Sequence, residues 1–513
     1  MKFRWLVFAA IFFFFLTACN PDSSGEVSGN GSESGENELI IAAGSDMVTF
    51  DIHDHNNTST EAIHVNMFNY LVKNDGEGGF VGDLATEWEI IDDQTWRFKL
   101  REDVKFHNGD PFTAEDVKFT LERVAKDNTL LEHGNYNQIA EVNVISDYEV
   151  EIVTHNPEPA LLNRLSRLGS GMLPKNYIEE NGWEHFLEQP VGTGPYKFSE
   201  WIKDDRVVLV PNENYFGEKP KWDRVVFRAI PEDSTRVSEL LAGGVDIATN
   251  IPPDDWERIE NDENLKLAKS PSQRVMLLVL RTADEYVTSD PRVREAIDLA
   301  IDKEAIVESL YNGAATPTRT RVTPGNVGAN EKLYGTSLYD PDRARELLAE
   351  AGYPDGIEIQ FDAPSGRYLK DKETAELIQS MLAEVGIKAN LTFHEWSTFS
   401  EKYAEKSFGE MFMIAYGNSM FDAALALVRL KQAENVGETD YINDEVEELL
   451  QVAESNMNTE ERIAQYQRVQ EIIAEERPHI YLFRMDSVYG LKANINFEPR
   501  LDEMFYVDDI TKN

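Results

Sequence analysis

Cys19 is the only cysteine in this chain of 513 residues, and it closes an apolar run near the N-terminus. Everything after it must fold without a disulfide. Small exported domains commonly lean on disulfides. This body has to rely on large apolar cores instead, and a hydrophobic content of 42% can supply them. Length adds a second constraint. Single cores stop growing beyond roughly 250–300 residues, so two or three lobes are predicted.

The residues ahead of Cys19 are arranged for export. Lys2 and Arg4 give a positive start, residues 5–16 an apolar stretch, and Leu16-Thr17-Ala18 a small-residue cleavage pattern. The stretch falls short of the about 20 residues a membrane span uses. Leu-Thr-Ala-Cys resembles the lipobox of bacterial lipoproteins, in which cleavage frees the cysteine and a diacylglyceryl group joins its sulfur. Residues 20–38 are rich in Gly, Ser, Asn and Glu with a single aliphatic residue, the composition of a flexible tether. The reading is a signal peptide over 1–18, a lipidated Cys19 and a tether to 38.

Charge narrows the partners. Against 49 Lys and Arg stand 93 Asp and Glu, a net charge of −44 spread along the chain. Such a field repels phosphate backbones and anionic lipid, so nucleic acid and a polybasic membrane patch are both excluded as partners. Contact with the membrane is expected through the lipid anchor only.

From Leu39 onward strand-like and helix-like stretches alternate. Period-two patterns mark strands at 95–100 and 148–152, and further strands are read at 206–210, 225–230, 275–280, 357–361, 390–393 and 411–415. Asp290-Pro291 and Asp340-Pro341 each set a capping acid before a proline that opens a helix, and Gly352 stops the second. A third helix spans about 372–385. Asn458 with Glu461 resembles a capping box for a helix ending before Pro478. The mixture predicts an α/β fold.

Four stretches carry a family likeness. They are Gly82–Glu89 continuing through Phe98–Val117, Val191–Tyr196 followed by Asn214–Pro220, Pro231–Asp246, and Asp290–Ile297 with Tyr339–Pro341 and Ala351–Pro354. Together they resemble the family 5 extracellular solute-binding proteins, the peptide/nickel-type receptors of ABC importers. The resemblance implies a type II periplasmic-binding-protein clamshell, two lobes with an extra subdomain in the first. Lobe I is expected from 39–80, 190–280 and 485–513, the subdomain from 81–189, and lobe II from 281–484. It implies capture of a small peptide or peptide-like solute for ABC permease subunits, by a monomer without cofactor or metal. The location implied is the outer face of the cell membrane, periplasmic in a diderm host.

Arg367 is the first ligand candidate. It follows the strand 357–361 in a loop at that strand's carboxyl end, where α/β lobes present ligand groups, and a guanidinium there suits a carboxylate. By resemblance it matches the arginine that takes a peptide's terminal carboxylate; pairing with Asp371 or Glu373 is the bland alternative. The loop after the strand 411–415 offers Tyr416, Asn418, Ser419 and Asp422. Peptide-binding relatives usually set an aspartate for the ammonium where this chain has Ser419. Arg167 resembles an arginine lining the cleft of nickel-chelate relatives. Tyr416 and Trp396 are aromatic candidates for apolar cleft walls, with core packing the favoured role for Trp396.

Histidines invite metal readings. His107 beside a turn is taken as a packing or capping residue, and His53, His55 and His64 as part of a solvated turn. Gly109, Gly192 and Gly194 are read as turn glycines. An exported hydrolase is the enzymatic alternative, but the chain has no G-x-S-x-G elbow and no H-E-x-x-H helix. An anchored sensor or chaperone on the same fold stays open at this point.

Overall fold

A computed structural model describes residues 37–75 and 79–513. The apolar leader, Cys19 and the tether as far as residue 36 lie outside the described residues. Asn37 already bonds the Lys221 carbonyl and Glu38 opens a strand, so the folded body begins two residues ahead of Leu39. No helix among the described residues is long and apolar enough to cross a membrane.

An eleven-stranded mixed sheet organises the described residues. Ten strands run in the order Ile387–Glu395, Ile357–Ser365, Met411–Tyr416, Leu265–Leu280, His479–Lys492, Ile247–Ala248, Glu38–Ala43, Arg224–Ala229, Arg206–Pro211 and Tyr196–Ile202. Ala315–Pro317 pairs with His479–Lys492 from the side.

The two central strands, Leu265–Leu280 and His479–Lys492, belong to both halves of the sheet. Leu265–Pro271 pairs with Asp486–Lys492, and Val275–Val279 with Arg484–His479. Between them the ladder is interrupted at Ser272, Gln273 and Arg274. Pro271 has no N–H to offer a ladder, which places the interruption. Two strands cross from one lobe to the other there, the construction a hinge requires.

Each lobe is covered on both faces of its half-sheet. Met276, Leu278 and Leu280 enter one core with the helices Pro291–Ala300 and Pro341–Glu350. Val275, Leu277 and Val279 alternate into another, closed by the helix Thr459–Glu476. A strand buried on both faces reads as an uninterrupted apolar run, as this one does. The other half-sheet is enclosed by two further cores, one around Leu39, Ile41 and Trp222, one around Leu240, Val245 and Trp256. A separate antiparallel sheet, in the order Ala85–Asp92, Thr95–Leu100, Glu149–Thr154 and Ile139–Ser146, folds against the helix Ala114–Lys126 with a core of its own.

Local signals act as their chemistry predicts. Asp290 accepts from Arg292 N–H and Asp340 from Arg343 N–H, each before a proline at the first helical position. Asn458 accepts from Glu461 N–H at 3.3 Å, but its own N–H goes to Asn456, so only half of the expected capping box forms. Gly109 is a turn glycine with φ +95°. Gly192 and Gly194 serve another purpose: a Cβ would fall 2.0 Å from the Met67 carbonyl oxygen at Gly192 and 2.5 Å from that of Asn66 at Gly194. They are glycines of close backbone approach rather than of turn conformation.

Candidate functional site

A cleft of about 390 Å³ opens where the two lobes meet beside the hinge. That volume lies within the range of about 300–1,000 Å³ that small solutes occupy. Gly44–Met47 and the helix Thr58–His64 face it from one lobe, Gly366–Leu369 and Trp396 from the other, and Ser272, Arg274 and Met485–Tyr489 from the hinge strands.

Arg367 stands in this cleft, and its loop explains why neither Asp371 nor Glu373 pairs with its head. Asp371, in the first turn of the helix Asp371–Glu384, accepts from the backbone N–H groups of Gly366, Arg367 and Tyr368 at 3.1, 2.8 and 3.0 Å. The carboxylate thereby holds the loop by its backbone. Glu373 faces Lys370 instead. Arg367 has no salt-bridge partner among the described residues, and its buried Nε has no hydrogen-bond acceptor. Its guanidinium lies 4.8 Å from the Trp396 ring centroid and 5.6 Å from that of Tyr368. Burial, with the nearby Arg274 cation, lowers its pKa from the usual arginine value. An unpaired, partly desolvated guanidinium over an aromatic wall is a strong carboxylate receptor.

Trp396 takes the less favoured of its two sequence readings, the cleft wall. It stacks on Phe399 at 5.6 Å but keeps 37% exposure and forms part of the cleft wall. Reasoning from sequence missed Arg274 and Glu503, which pair at 3.1 Å on the cleft surface although 229 residues separate them.

The other five candidates lie away from this lining: Arg167 and Ser419 meet across a second contact between the lobes, and Tyr416, Asn418 and Asp422 bond to residues within 281–484. Asp422 is buried, accepts from Ala424 N–H as a helix cap, and takes both Arg462 nitrogens at 2.7 Å. Its carboxylate is committed to the fold, which corrects its reading as a ligand contact. Asn418 is buried and donates to Asn326 at 2.6 Å. Tyr416 shares its hydroxyl with Tyr403 at 2.7 Å and with Glu438 at 3.2 Å. Ser419 is exposed and meets Arg167, which is buried against Glu132 at 2.6 Å. These residues tie structure together, and only Arg367 of the six stands in the cleft.

The histidines are buried, not solvated. His55, Glu61 and His64 come within metal-ligand range of one another, yet hydrogen bonds use every ring nitrogen of the pair. His55 Nδ1 accepts from Asn57 N–H at 3.3 Å, which leaves its Nε2–H to donate to His64 Nδ1 at 3.3 Å. His64 Nε2–H in turn donates to the Thr49 carbonyl at 3.1 Å. Coordination through His55 Nε2 would reverse that tautomer against the Asn57 N–H. Burial holds His53 at about 3, His55 at about 4 and His64 well below its ordinary value. Burial pushes Glu61, bonded by the Tyr70 hydroxyl, up to about 7. His107 clasps the loop at 191–196, accepting from Gly192 N–H at 3.1 Å and donating to the Gly194 carbonyl at 3.0 Å.

Known proteins are similar to this chain in architecture and in sequence. The family described as bacterial extracellular solute-binding proteins, family 5 (middle), matches residues 79–438. The glutathione-binding protein GsiB of Salmonella paratyphi A is 30% identical over 92% of this chain and 94% of its own length. Among solved structures, the ABC transporter-associated periplasmic binding protein DppA of Helicobacter pylori, in complex with the peptide STSA, superposes with a TM-score of 0.81 at 27% identity, covering 93% of this chain and 98% of that one. NikA of Brucella suis, in complex with Fe(III)-EDTA, superposes with a TM-score of 0.83 at 25% identity over 93% and 100%.

Proposed function

The chain belongs to the family 5 bacterial extracellular solute-binding proteins, and from that premise we propose that it takes a small peptide or peptide-like solute by its carboxylate on Arg367. It is a type II periplasmic-binding-protein clamshell, a substrate-binding component of an ABC importer, and not an enzyme. The observation that carries the ligand reading is the guanidinium of Arg367, unpaired among the described residues, in a cleft between the lobes. Relatives named for glutathione and for peptide complexes support a carboxylate-bearing solute. The division into lobe I (39–80, 190–280 and 485–513), its subdomain (81–189) and lobe II (281–484) is part of the same reading, supported by the separate cores.

Native mass spectrometry of the purified protein, followed by thermal-shift screening of dipeptides, longer peptides, glutathione and nickel chelates, tests the reading. Carboxylate-bearing solutes should raise the melting temperature of the wild type, and Arg367→Ala should abolish that rise. Stabilisation that survives Arg367→Ala would overturn the assignment.

We also read Cys19 as the lipidation site, which keeps a monomeric receptor beside its permease at an effective concentration that free diffusion would not maintain. Palmitate labelling checks it: Cys19→Ala should lose the label and release the protein from the membrane fraction.

A further inference from the structure

The charges facing the cleft pair off almost completely. Arg228, Asp233, Arg236, Arg274, Asp486 and Glu503 each have an opposite charge at salt-bridge distance. Two lining groups have none among the described residues. One is Arg367, on the lobe II wall. The other is Asp46, in the loop that leaves the strand Glu38–Ala43 on the lobe I wall.

Asp46 is held firmly without being neutralised. Its Oδ1 accepts from Met47 N–H at 2.8 Å, and its Oδ2 from Trp201 Nε1 and Asp204 N–H, both at 2.9 Å. A carboxylate offers about four acceptor sites, so Oδ1 keeps one open, and the full negative charge lacks a cation. Three N–H donors fix the side chain without filling the place of an ammonium.

We propose that Asp46 binds a primary ammonium of the solute, on the wall of the cleft other than the one whose Arg367 holds the carboxylate. This rests on the reading of the cleft as the solute site and adds its second pole. A zwitterion then spans the two lobes, each end satisfying the charge that one lobe leaves uncompensated, and burial of either charge has its partner. The long-range field agrees. A protein of net charge −44 repels an anionic solute, whereas a zwitterion approaches it without net repulsion. The loop with Tyr416 and Asp422 is spent on structural contacts, so ammonium recognition falls to lobe I.

Isothermal titration of the purified protein with a panel of dipeptides and glutathione, each beside its N-acetylated counterpart, tests this. The wild type should prefer the free amine by roughly 10-fold or more, the scale of a charge-assisted hydrogen bond. Asp46→Asn should bring the two forms within about threefold of each other while still binding the acetylated one, which also shows that the variant is folded. Equal affinity of the wild type for both forms, with Arg367→Ala abolishing both, overturns the ammonium site and leaves the carboxylate reading standing. Loss of both forms alike in Asp46→Asn also overturns it, because Asp46 would then be only a loop support. Binding indifferent to Arg367→Ala, or absent across the panel, overturns the underlying reading and this inference with it. Should Asp46→Asn fail to fold, the acetylation comparison in the wild type decides.

Discussion

Arg167 Nε donates to Ser419 Oγ at 3.0 Å, joining two residues that lie 252 apart in the chain. Beside them Asn163 Nδ2 donates to the Met420 carbonyl at 2.9 Å. The pair forms a latch between the short helix Leu161–Arg164 and the loop following Met411–Tyr416. Ser419 is exposed, so Ser419→Ala should leave unfolding in urea within about 0.5 kcal/mol of the wild type. The closed form should lose about 1 kcal/mol, speeding solute release roughly fivefold. Stopped-flow release kinetics check this, and an unchanged rate would remove the latch.

Asp422 and Arg462 predict the opposite signature. Both side chains are almost wholly buried and meet through two 2.7 Å bonds. Removing one partner strands the other, at about 3–5 kcal/mol. Asp422→Ala should therefore lower the urea midpoint strongly. Its solute affinity, measured well below that midpoint, should stay near the wild-type value. Intact stability with lost binding would return Asp422 to the ligand site.

The buried cluster around Glu61 predicts how stability depends on pH. Glu61 is raised from 4.5 to about 7, so the folded chain keeps a proton that the unfolded chain releases above 4.5. Its contribution is fully present below 4.5 and is lost as the pH rises through 7. Glu61→Gln removes this dependence, so the stability of the variant relative to wild type should grow between pH 4.5 and 7 and level off above. His53 and His55 act in the other direction. They are depressed from 6.5 to about 3 and 4, so their contribution is present above 6.5 and falls away as the pH drops toward those values. Urea unfolding from pH 4.5 to 8.5 separates the two, and a constant difference between Glu61→Gln and wild type would refute the assignment.

The sequence made the local signals legible and hid the long-range ones. Asp290, Asp340 and Gly352 announce helix ends because capping is settled within a few residues. Arg367 was legible because a loop at a strand's carboxyl end is a general place for ligand groups. The same rule pointed to Asp422 and failed. Which strand ends face the cleft depends on sheet pairing, and pairing joins residues such as Val275 and Arg484 far apart in the chain. The first half of the long strand Leu265–Leu280 was missed because its charged residues and Pro271 interrupt the apolar pattern. Asp46 was invisible for a related reason. An unpaired charge is defined by the partners that all its neighbours have found, and Arg274 finds Glu503 only in the folded chain.

Gly192 and His107 predict a defect confined to stability. His107 N–H donates to the Gly192 carbonyl at 2.8 Å while the imidazole holds both ends of the Gly192–Gly194 loop against Asn66 and Met67. A methyl at residue 192 would meet the Met67 carbonyl oxygen at 2.0 Å, and backbone cannot give way as a flexible side chain does. Overpacking of this kind costs about 1–3 kcal/mol. Gly192→Ala should lower the unfolding free energy by that amount without changing the solute affinity of the folded fraction, because the loop is not part of the cleft lining. His107→Ala should lower it too, since it leaves the Gly192 N–H without its imidazole acceptor. The double variant should fall short of the sum, because both substitutions loosen one loop. Strict additivity in urea unfolding would show that histidine and glycine act independently.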